Sequence, residues 1–205
     1  MTNNNDSTTE SLCRRIKKLI TELRSKGDSG LLLQAIGTDV LEELQLEAAK
    51  QRLSELYITH DCRFILTDLD NKEIDLQPVH KAVYLLFLAH PEGIEFKRLS
   101  EYADELTEYY KIITPQTQIE NIRSSVSHLT NPLDNAINEK CSRIKSAFHK
   151  IMDEYMANYY IINSHMRQQV SDSTRIWYKR LKVINLPREL VKYEADFLPL
   201  KKHSV

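Results

Sequence analysis

Apolar residues recur with a helical period in the N-terminal part of the chain. One stripe has steps of four, three and four residues: Leu12, Ile16, Leu19 and Leu23. It predicts a helix over 10–26, and a similar pattern predicts a second helix over 38–56. Residues 1–9 are polar and predict a disordered tail. We expect the helical segment 10–56 to dock on a later domain or to mediate dimerisation, because its apolar positions have no partner in the local sequence.

From residue 57 onward the apolar positions alternate, as they do in half-buried strands. Segments 63–68 and 72–76 flank a short turn that contains Asp70 and Asn71, residue types that tolerate left-handed backbone. This arrangement predicts a β-hairpin. The next segment, 78–90, is apolar on nearly every side, which predicts a central, buried helix. The sequence His-Pro-Glu-Gly that closes it predicts a tight turn.

Three further helices are expected after this turn. Ser100 is expected to cap an acidic helix that runs to about residue 113, and another helix follows over 116–129. Asn131 and Pro132 resemble a cap followed by a first helical residue, so the third helix is predicted over 132–157. Its apolar stripe has steps of four, three, four, three and four: Ile137, Cys141, Ile144, Phe148, Ile151 and Tyr155. The rest of this long helix is free for other contacts.

A second hairpin is predicted over 159–186. Its ends, YYIIN and LKVINL, are strand-like, and the polar stretch 164–180 between them predicts a long basic tip. Segment 188–194 is expected to add one helical turn.

Two segments of this chain carry a family resemblance: IDLQPVHKAVYLLFLAHPEG at 74–93 and NEKCSRIKSAF at 138–148. They resemble the output domain of OmpR/PhoB-type response regulators, over roughly 57–186. In that family a sheet precedes a buried helix, and a later helix enters the major groove of DNA ahead of a β wing. The chain is also similar to a group of uncharacterised bacterial proteins marked by HPEGI and INEKCSRI, a similarity that implies no activity.

The resemblance implies a fold of the α+β class, mainly α. It would be a winged helix, which is a helix-turn-helix with a β-hairpin wing, over 57–195. A helical segment would precede it, and residues 196–205 would form a C-terminal tail. The extra helix at 116–129 and the acidic residues over 101–108 depart from the family pattern. Residues 1–56 do not contain a receiver domain, so the resemblance does not imply regulation by phosphorylation.

Charge is distributed unevenly along the chain. Residues 1–139 contain 15 basic and 23 acidic residues, a net charge of −8, whereas residues 140–205 contain 13 and 6, a net charge of +7. The chain as a whole carries −1. A basic C-terminal part favours an anionic partner for that part.

Eleven residues are the candidate contacts to double-stranded DNA. They have side chains suited to base edges or phosphates, and they lie on the long helix and in the hairpin: Asn138, Lys140, Ser142, Arg143, Lys145, His149, Lys150, Arg167, Arg175, Lys179 and Arg180. Each group has a plainer interpretation. The helix positions also fit a solvated helix face, and the hairpin positions also fit a disordered surface loop.

The remaining composition points away from catalysis. The four glycines are too few and too scattered for a phosphate-binding loop, and we find no nucleophile elbow. No metal site or cofactor is expected, since His60, Asp61 and Cys62 are consecutive and cannot converge on one ion from a strand. Three widely spaced cysteines predict free thiols. Because these motifs are missing, we expect that the protein is not an enzyme. Because the sequence has no signal peptide and no apolar run long enough for a bilayer, we expect it to be cytoplasmic.

Two functional hypotheses follow from the sequence. The first is a DNA-binding module and transcriptional regulator, with helix 132–157 in the major groove, hairpin 159–186 as wing, and a dimer through 10–56. The alternative is a winged-helix domain that binds another protein and does not bind DNA, which the near-neutral net charge and the acidic helix favour.

Overall fold

The computed structural model describes residues 4–170 and 176–195, with side chains over 8–164 and 180–195. It confirms the predicted α+β class, in which helices predominate. Contacts between residues divide the chain into two units, unit 1 over Met1–Gln51 and unit 2 over Arg52–Val205.

Unit 1 consists of three consecutive helices: α1 (Asn4–Ser25), α2 (Ser29–Ile36) and α3 (Thr38–Lys50). The sequence pattern did not predict α2, because its residues SGLLLQAI place three leucines in a row and form no helical stripe. The helix predicted over 38–56 ends at Lys50, since Leu56 already belongs to a strand.

The described residues of unit 2 include six strands: β1 (Leu56–Ile58), β2 (Phe64–Leu66), β3 (Lys72–Glu73), β4 (Ile162–Val170), β5 (Ile176–Ile184) and β6 (Val191–Tyr193). Four of them form a mixed sheet in the order β3-β2-β1-β6, in which β6 runs parallel to β1. The first predicted hairpin is confirmed, because β2 and β3 are antiparallel and both Asp70 and Asn71 have positive φ. The helical turn predicted over 188–194 was wrong beyond Leu190, where β6 begins.

The described part of unit 2 also has five α-helices, in chain order: α4 (Pro78–Ala89), α5 (Ala103–Ile113), α6 (Ile119–Thr130), α7 (Ala136–His149) and α8 (Glu154–Tyr160). The buried helix predicted at 78–90 is confirmed as α4, which buries eight of its twelve residues. The turn after it is also confirmed, since the Gly93 amide donates to the His90 carbonyl at 2.9 Å. Ser100 does not cap α5, because it lies inside a 3-10 helix, Phe96–Tyr102, that precedes α5.

The long helix predicted over 132–157 was wrong at both ends. Asn131 does not cap it; its side chain accepts a hydrogen bond from the Leu133 amide in a turn, and α7 begins at Ala136. At the other end the Ile151 amide bonds to the Phe148 carbonyl, which tightens the last turn. Asp153 is extended and its carboxylate accepts a hydrogen bond from the amide of Met156, so α8 starts as a separate helix.

The second hairpin also differs from the prediction. Strands β4 and β5 pair in register from Ile162 and Ile184 outward to Val170 and Ile176. The predicted long basic tip over 164–180 is therefore mostly paired strand. A third segment joins the hairpin, because the amide and carbonyl of Ile94 exchange hydrogen bonds with those of Lys182 at 2.9 and 2.8 Å.

The core of unit 2 lies where α4 crosses α7 and the first sheet. Tyr84 of α4 packs edge-on against Phe64 and at 5.4 Å from Phe148 of α7, and Phe148 stacks on Tyr160 of α8 at 5.5 Å. All four rings are fully buried. Helix α7 is thus fixed by its apolar face, and its opposite face is available for contacts.

Candidate nucleic-acid interface

The exposed face of α7 presents polar side chains on a rigid support. Ile137, Ile144 and Phe148 hold the helix against the core. Five of the predicted contact residues on or next to α7 are exposed: Asn138, Ser142, Arg143, Lys145 and Lys150. Helix α7 has 14 residues and is therefore about 21 Å long, and an α-helix fits within the major groove of B-DNA.

A cavity of about 360 Å³ joins α7 to the second hairpin. Asn138 of α7, Ser164 of β4 and Arg180 of β5 line it, together with Glu95, Phe96, Lys97 and Lys182. Two predicted contacts from separate segments, Asn138 and Arg180, therefore lie on one concave surface.

Lys182 and Lys97 are functional candidates that the sequence prediction missed. Lys182 lies two residues after Arg180 on the same strand, so the two side chains share one face of the hairpin. Its ammonium group is 5.2 Å from the centre of the Phe96 ring, a cation–π contact that holds the charge at the cavity. The alternation of strand residues would have indicated Lys182 if the strand had been predicted back to residue 176.

Glycine 93 brings the 94–97 segment close enough to complete this cavity. Its φ is +85°, and a Cβ atom there would lie 3.1 Å from both the Leu181 Cβ and the Lys182 carbonyl oxygen. Only glycine accepts this backbone conformation and this approach without strain. The predicted tight turn thus has a second role, which is to seat Ile94 against β5.

The opposite flank of α7 faces the start of α4. Burial and the charges of Lys140 and Arg143 lower the pKa of His80 below its ordinary value. These two cations therefore lie near α4, on the flank away from Lys182. On the hairpin flank, burial raises the pKa of the Cys141 thiol to about 12, although the charge of Lys182 acts in the other direction.

The remaining predicted contacts are less available or lie outside the description. Lys140 and His149 are half-buried, and the enclosed Nε2 of His149 has no hydrogen-bond partner among the described residues. The backbones of Arg167 and Lys179 pair across the hairpin, but their side chains lie outside the described ones. Arg175 lies outside the described residues altogether.

Acidic groups limit the positive surface. Glu95 lines the same cavity as Arg180, and Glu139 lies between Asn138 and Lys140 on α7. The acidic residues of the 3-10 helix and α5 are partly neutralised, since Glu101 pairs with Arg98 at 2.6 Å and Glu108 with Lys111 at 2.9 Å. Two groups of cations remain on this surface. Lys97, Arg180 and Lys182 lie at the hairpin, and Lys140 and Arg143 lie beside α4.

A second cavity, of about 570 Å³, lies on the α4 side of α7. It is lined by residues of α4, α5, α6 and α7 and of the turn before α7: Val79, Tyr110, Ser124, Ser125, His128, Leu129, Asp134, Asn135, Ala136, Glu139 and Lys140. His128 and Asp134 face each other across 3.1 Å within it. Helix α6, which separates α5 from α7, forms one of its walls.

Two classes of site are absent from the described part of the chain. Within 4–170 and 176–195, no cluster of three or more His, Cys, Asp or Glu side chains could bind a metal ion. Of the helices described there, none combines the length and the apolar character needed to span a membrane.

The comparisons with known proteins returned nothing: no family model, no curated protein and no solved structure matches this chain.

Proposed function

We propose that unit 2 is a DNA-binding module of the winged-helix type and that the protein is a transcriptional regulator. The observation that carries the proposal is the shared cavity of Asn138 and Arg180, because it joins a helix with a free polar face to a basic hairpin. Lys97 and Lys182 add two positive charges to that surface. No catalytic step is needed for this function.

The order of elements supports a winged helix. Helix α4 is followed by the extended residue Ile94, then by α5, α6 and α7, and finally by the hairpin of β4 and β5. An isolated bridge between Ile94 and Lys182 ties β5 to the segment that follows α4, and β4 contacts α7, so the hairpin has a fixed position beside α7. This is the relation expected of a wing, which needs a fixed position relative to the recognition helix.

Each group of residues has a separate role in the proposed complex. Ser142 and Lys145 on the exposed face of α7 would meet base edges in the major groove, and Asn138 has the amide that pairs best with adenine. Arg180, Lys182 and the nearby Lys97 would contact backbone phosphates, which orient the protein but carry no sequence information. Arg143 would contact the opposite strand from the α4 flank of the helix.

The proposal is tested by the affinity for a mixed-sequence duplex at several salt concentrations. Each phosphate contact contributes about −0.9 to the slope of log K against log salt concentration. The replacement Arg180→Gln is expected to weaken binding and to reduce that slope by about 1. The replacement Asn138→Ala is expected to leave the slope unchanged and to lower the discrimination between sequences.

Lys72→Gln is the matched control, since this exposed lysine belongs to β3 at the edge of the first sheet. It should leave both affinity and salt slope unchanged. Equal effects of the Lys72 and Arg180 replacements would show non-specific attraction only. No binding of duplex DNA by the unmodified chain at low salt would refute the proposal.

The rival proposal is that unit 2 binds another protein. The observation that favours it is the position of α6 in the chain, between α5 and α7. In a helix-turn-helix a short turn joins these two helices, whereas here a whole helix stands between them. Capture of one defined partner, lost on replacing Ser124 or His128 at the 570 Å³ cavity and retained in Arg180→Gln, would favour this rival.

A further inference from the structure

The three helices of unit 1 bury almost nothing. Among the described side chains of this unit, residues 8–51, only Ala49 is buried. Seven large apolar side chains are instead about half exposed: Leu12, Ile16, Leu19, Leu31, Leu33, Val40 and Leu44. A chain of about 50 residues needs a core or a partner to fold stably, so unit 1 needs a further surface to cover these side chains.

The exposed apolar residues form stripes on two helices. Leu12, Ile16 and Leu19 are 50%, 54% and 58% exposed on α1, and Val40 and Leu44 are 49% and 53% exposed on α3. Residues with these spacings lie on one side of a helix. Each of the two helices therefore has an apolar stripe of which about half faces solvent.

The charges of the two helices are opposite. Helix α1 has five basic and three acidic residues, a net charge of +2, whereas α3 has one basic and four acidic residues, a net charge of −3. Arg15 of α1 comes three residues after Leu12, next to the exposed stripe. Glu43 and Glu47 occupy the equivalent positions three residues after Val40 and Leu44.

We propose that two copies of this chain associate through unit 1, with α1 of each copy packed against α3 of the other. A two-fold axis makes both contacts identical, as in most homodimers. The apolar stripes would pack against each other, and Arg15 beside the stripe of α1 would meet Glu43 and Glu47 beside the stripe of α3. Pairing α1 with α1 would bring together helices that each carry a positive net charge, so charge complementarity selects the α1–α3 arrangement.

The lengths of the two helices set the size of the proposed contact. Helices of 22 and 13 residues are about 33 and 20 Å long. In a two-fold dimer, α1 and α3 of both copies would form a bundle of four helices. A stable protein–protein interface typically buries about 800 Å² on each partner. This proposal is independent of DNA binding, because it concerns unit 1 alone.

The test uses two charge-reversed forms of the full chain and measures their mass in solution by sedimentation. Variant A carries Arg15→Glu on α1, and variant B carries Glu43→Lys and Glu47→Lys on α3. Each variant alone places like charges at both contacts, so its dimer dissociation constant should rise by at least about tenfold. An equimolar mixture of A and B has opposite charges at both contacts and should form a heterodimer with affinity restored.

Matched controls have the same charge changes away from the stripes. Arg14→Glu on α1, and Asp39→Lys with Glu42→Lys on α3, should leave the dimer unchanged. Recovery of the dimer on mixing also shows that A and B are folded. A monomeric unmodified chain would overturn the proposal, as would a variant B that dimerises normally, which is the result expected for α1–α1 pairing.

Discussion

Gly93→Ala is expected to destabilise unit 2 and to loosen the second hairpin. The glycine has a φ of +85°, and an L-residue with left-handed backbone costs about 1–2 kcal/mol. The new Cβ would also lie 3.1 Å from the Leu181 Cβ and from the Lys182 carbonyl oxygen. Extra atoms in a packed site typically cost a further 1–3 kcal/mol. The sum is roughly 2–5 kcal/mol, a large part of the roughly 5–15 kcal/mol typical of a folded domain.

Two measurements check this expectation. Thermal unfolding should show a melting temperature lower by roughly 4–20 °C, given about 2–4 °C per kcal/mol for a domain of this size. Hydrogen exchange should show faster exchange at the Ile94 and Lys182 amides, because these two residues bond to each other across the contact. The rest of β5 should keep its protection, since it pairs with β4.

The matched control for Gly93→Ala is Asn71→Ala. Asn71 also has a positive φ, of 53°, but it is exposed in the first hairpin of the same unit. Alanine there incurs the backbone cost alone, about 1 kcal/mol. If Gly93→Ala lowers the stability no more than Asn71→Ala does, the close approach of Gly93 to β5 does not contribute to stability. The same conclusion follows if the Lys182 amide keeps its protection against hydrogen exchange in Gly93→Ala.

Four further outcomes are expected. Because the pKa of His80 is lowered in the folded state, the unfolded chain takes up this proton first, and stability should fall as the pH drops below the unfolded value of about 6.5. Arg143→Gln should raise the pKa of His80 in an NMR titration, and an unchanged value would show that the guanidinium lies too far away. Tyr160→Phe should lower the free energy of unfolding, measured by chemical denaturation, by about 1–3 kcal/mol. The buried hydroxyl of Tyr160 accepts a hydrogen bond from the Ser54 amide and donates one to the Ser54 carbonyl, both at 2.7 Å. Alkylation at pH 8 should modify the exposed Cys13 well before Cys141, whose thiol has a pKa of about 12; equal rates would contradict the burial of Cys141.

Elements set by local chemistry were predictable from the sequence. Asp70 and Asn71 determine the first hairpin because they accept left-handed backbone within the turn itself. Helix α4 was predicted as a buried helix because its own residues are apolar on nearly every side. In both cases the decisive residues lie within a few positions of one another.

Elements set by distant partners were not predictable in the same way. Strand β6 is three residues long and exists because it pairs with β1, from the other end of unit 2. The break between α7 and α8 left no mark on the apolar stripe, because Ile151 and Tyr155 keep the helical spacing across it. Asp153 was the one available signal, since a residue of its type followed by a short amphipathic run can begin a new helix.

The candidate interface shows the same division. The polar face of α7 could be predicted from its spacing, because one stripe of the helix is apolar and the rest is polar. The position of Lys97 could not, since it depends on how Gly93 seats the following residues against β5. Lys182 lay within reach of the strand alternation, but its contact with Phe96 depends on the fold.

The parallel pairing of β1 with β6 has a consequence for synthesis on the ribosome. The ribosome synthesises β1 near the start of unit 2 and β6 after the described helices of this unit. One edge of β1 therefore stays unpaired until Val191–Tyr193 has emerged from the ribosome. An open strand edge can pair with another nascent chain. Chains interrupted just before residue 191 should therefore aggregate, whereas chains that include 191–193 can close the sheet.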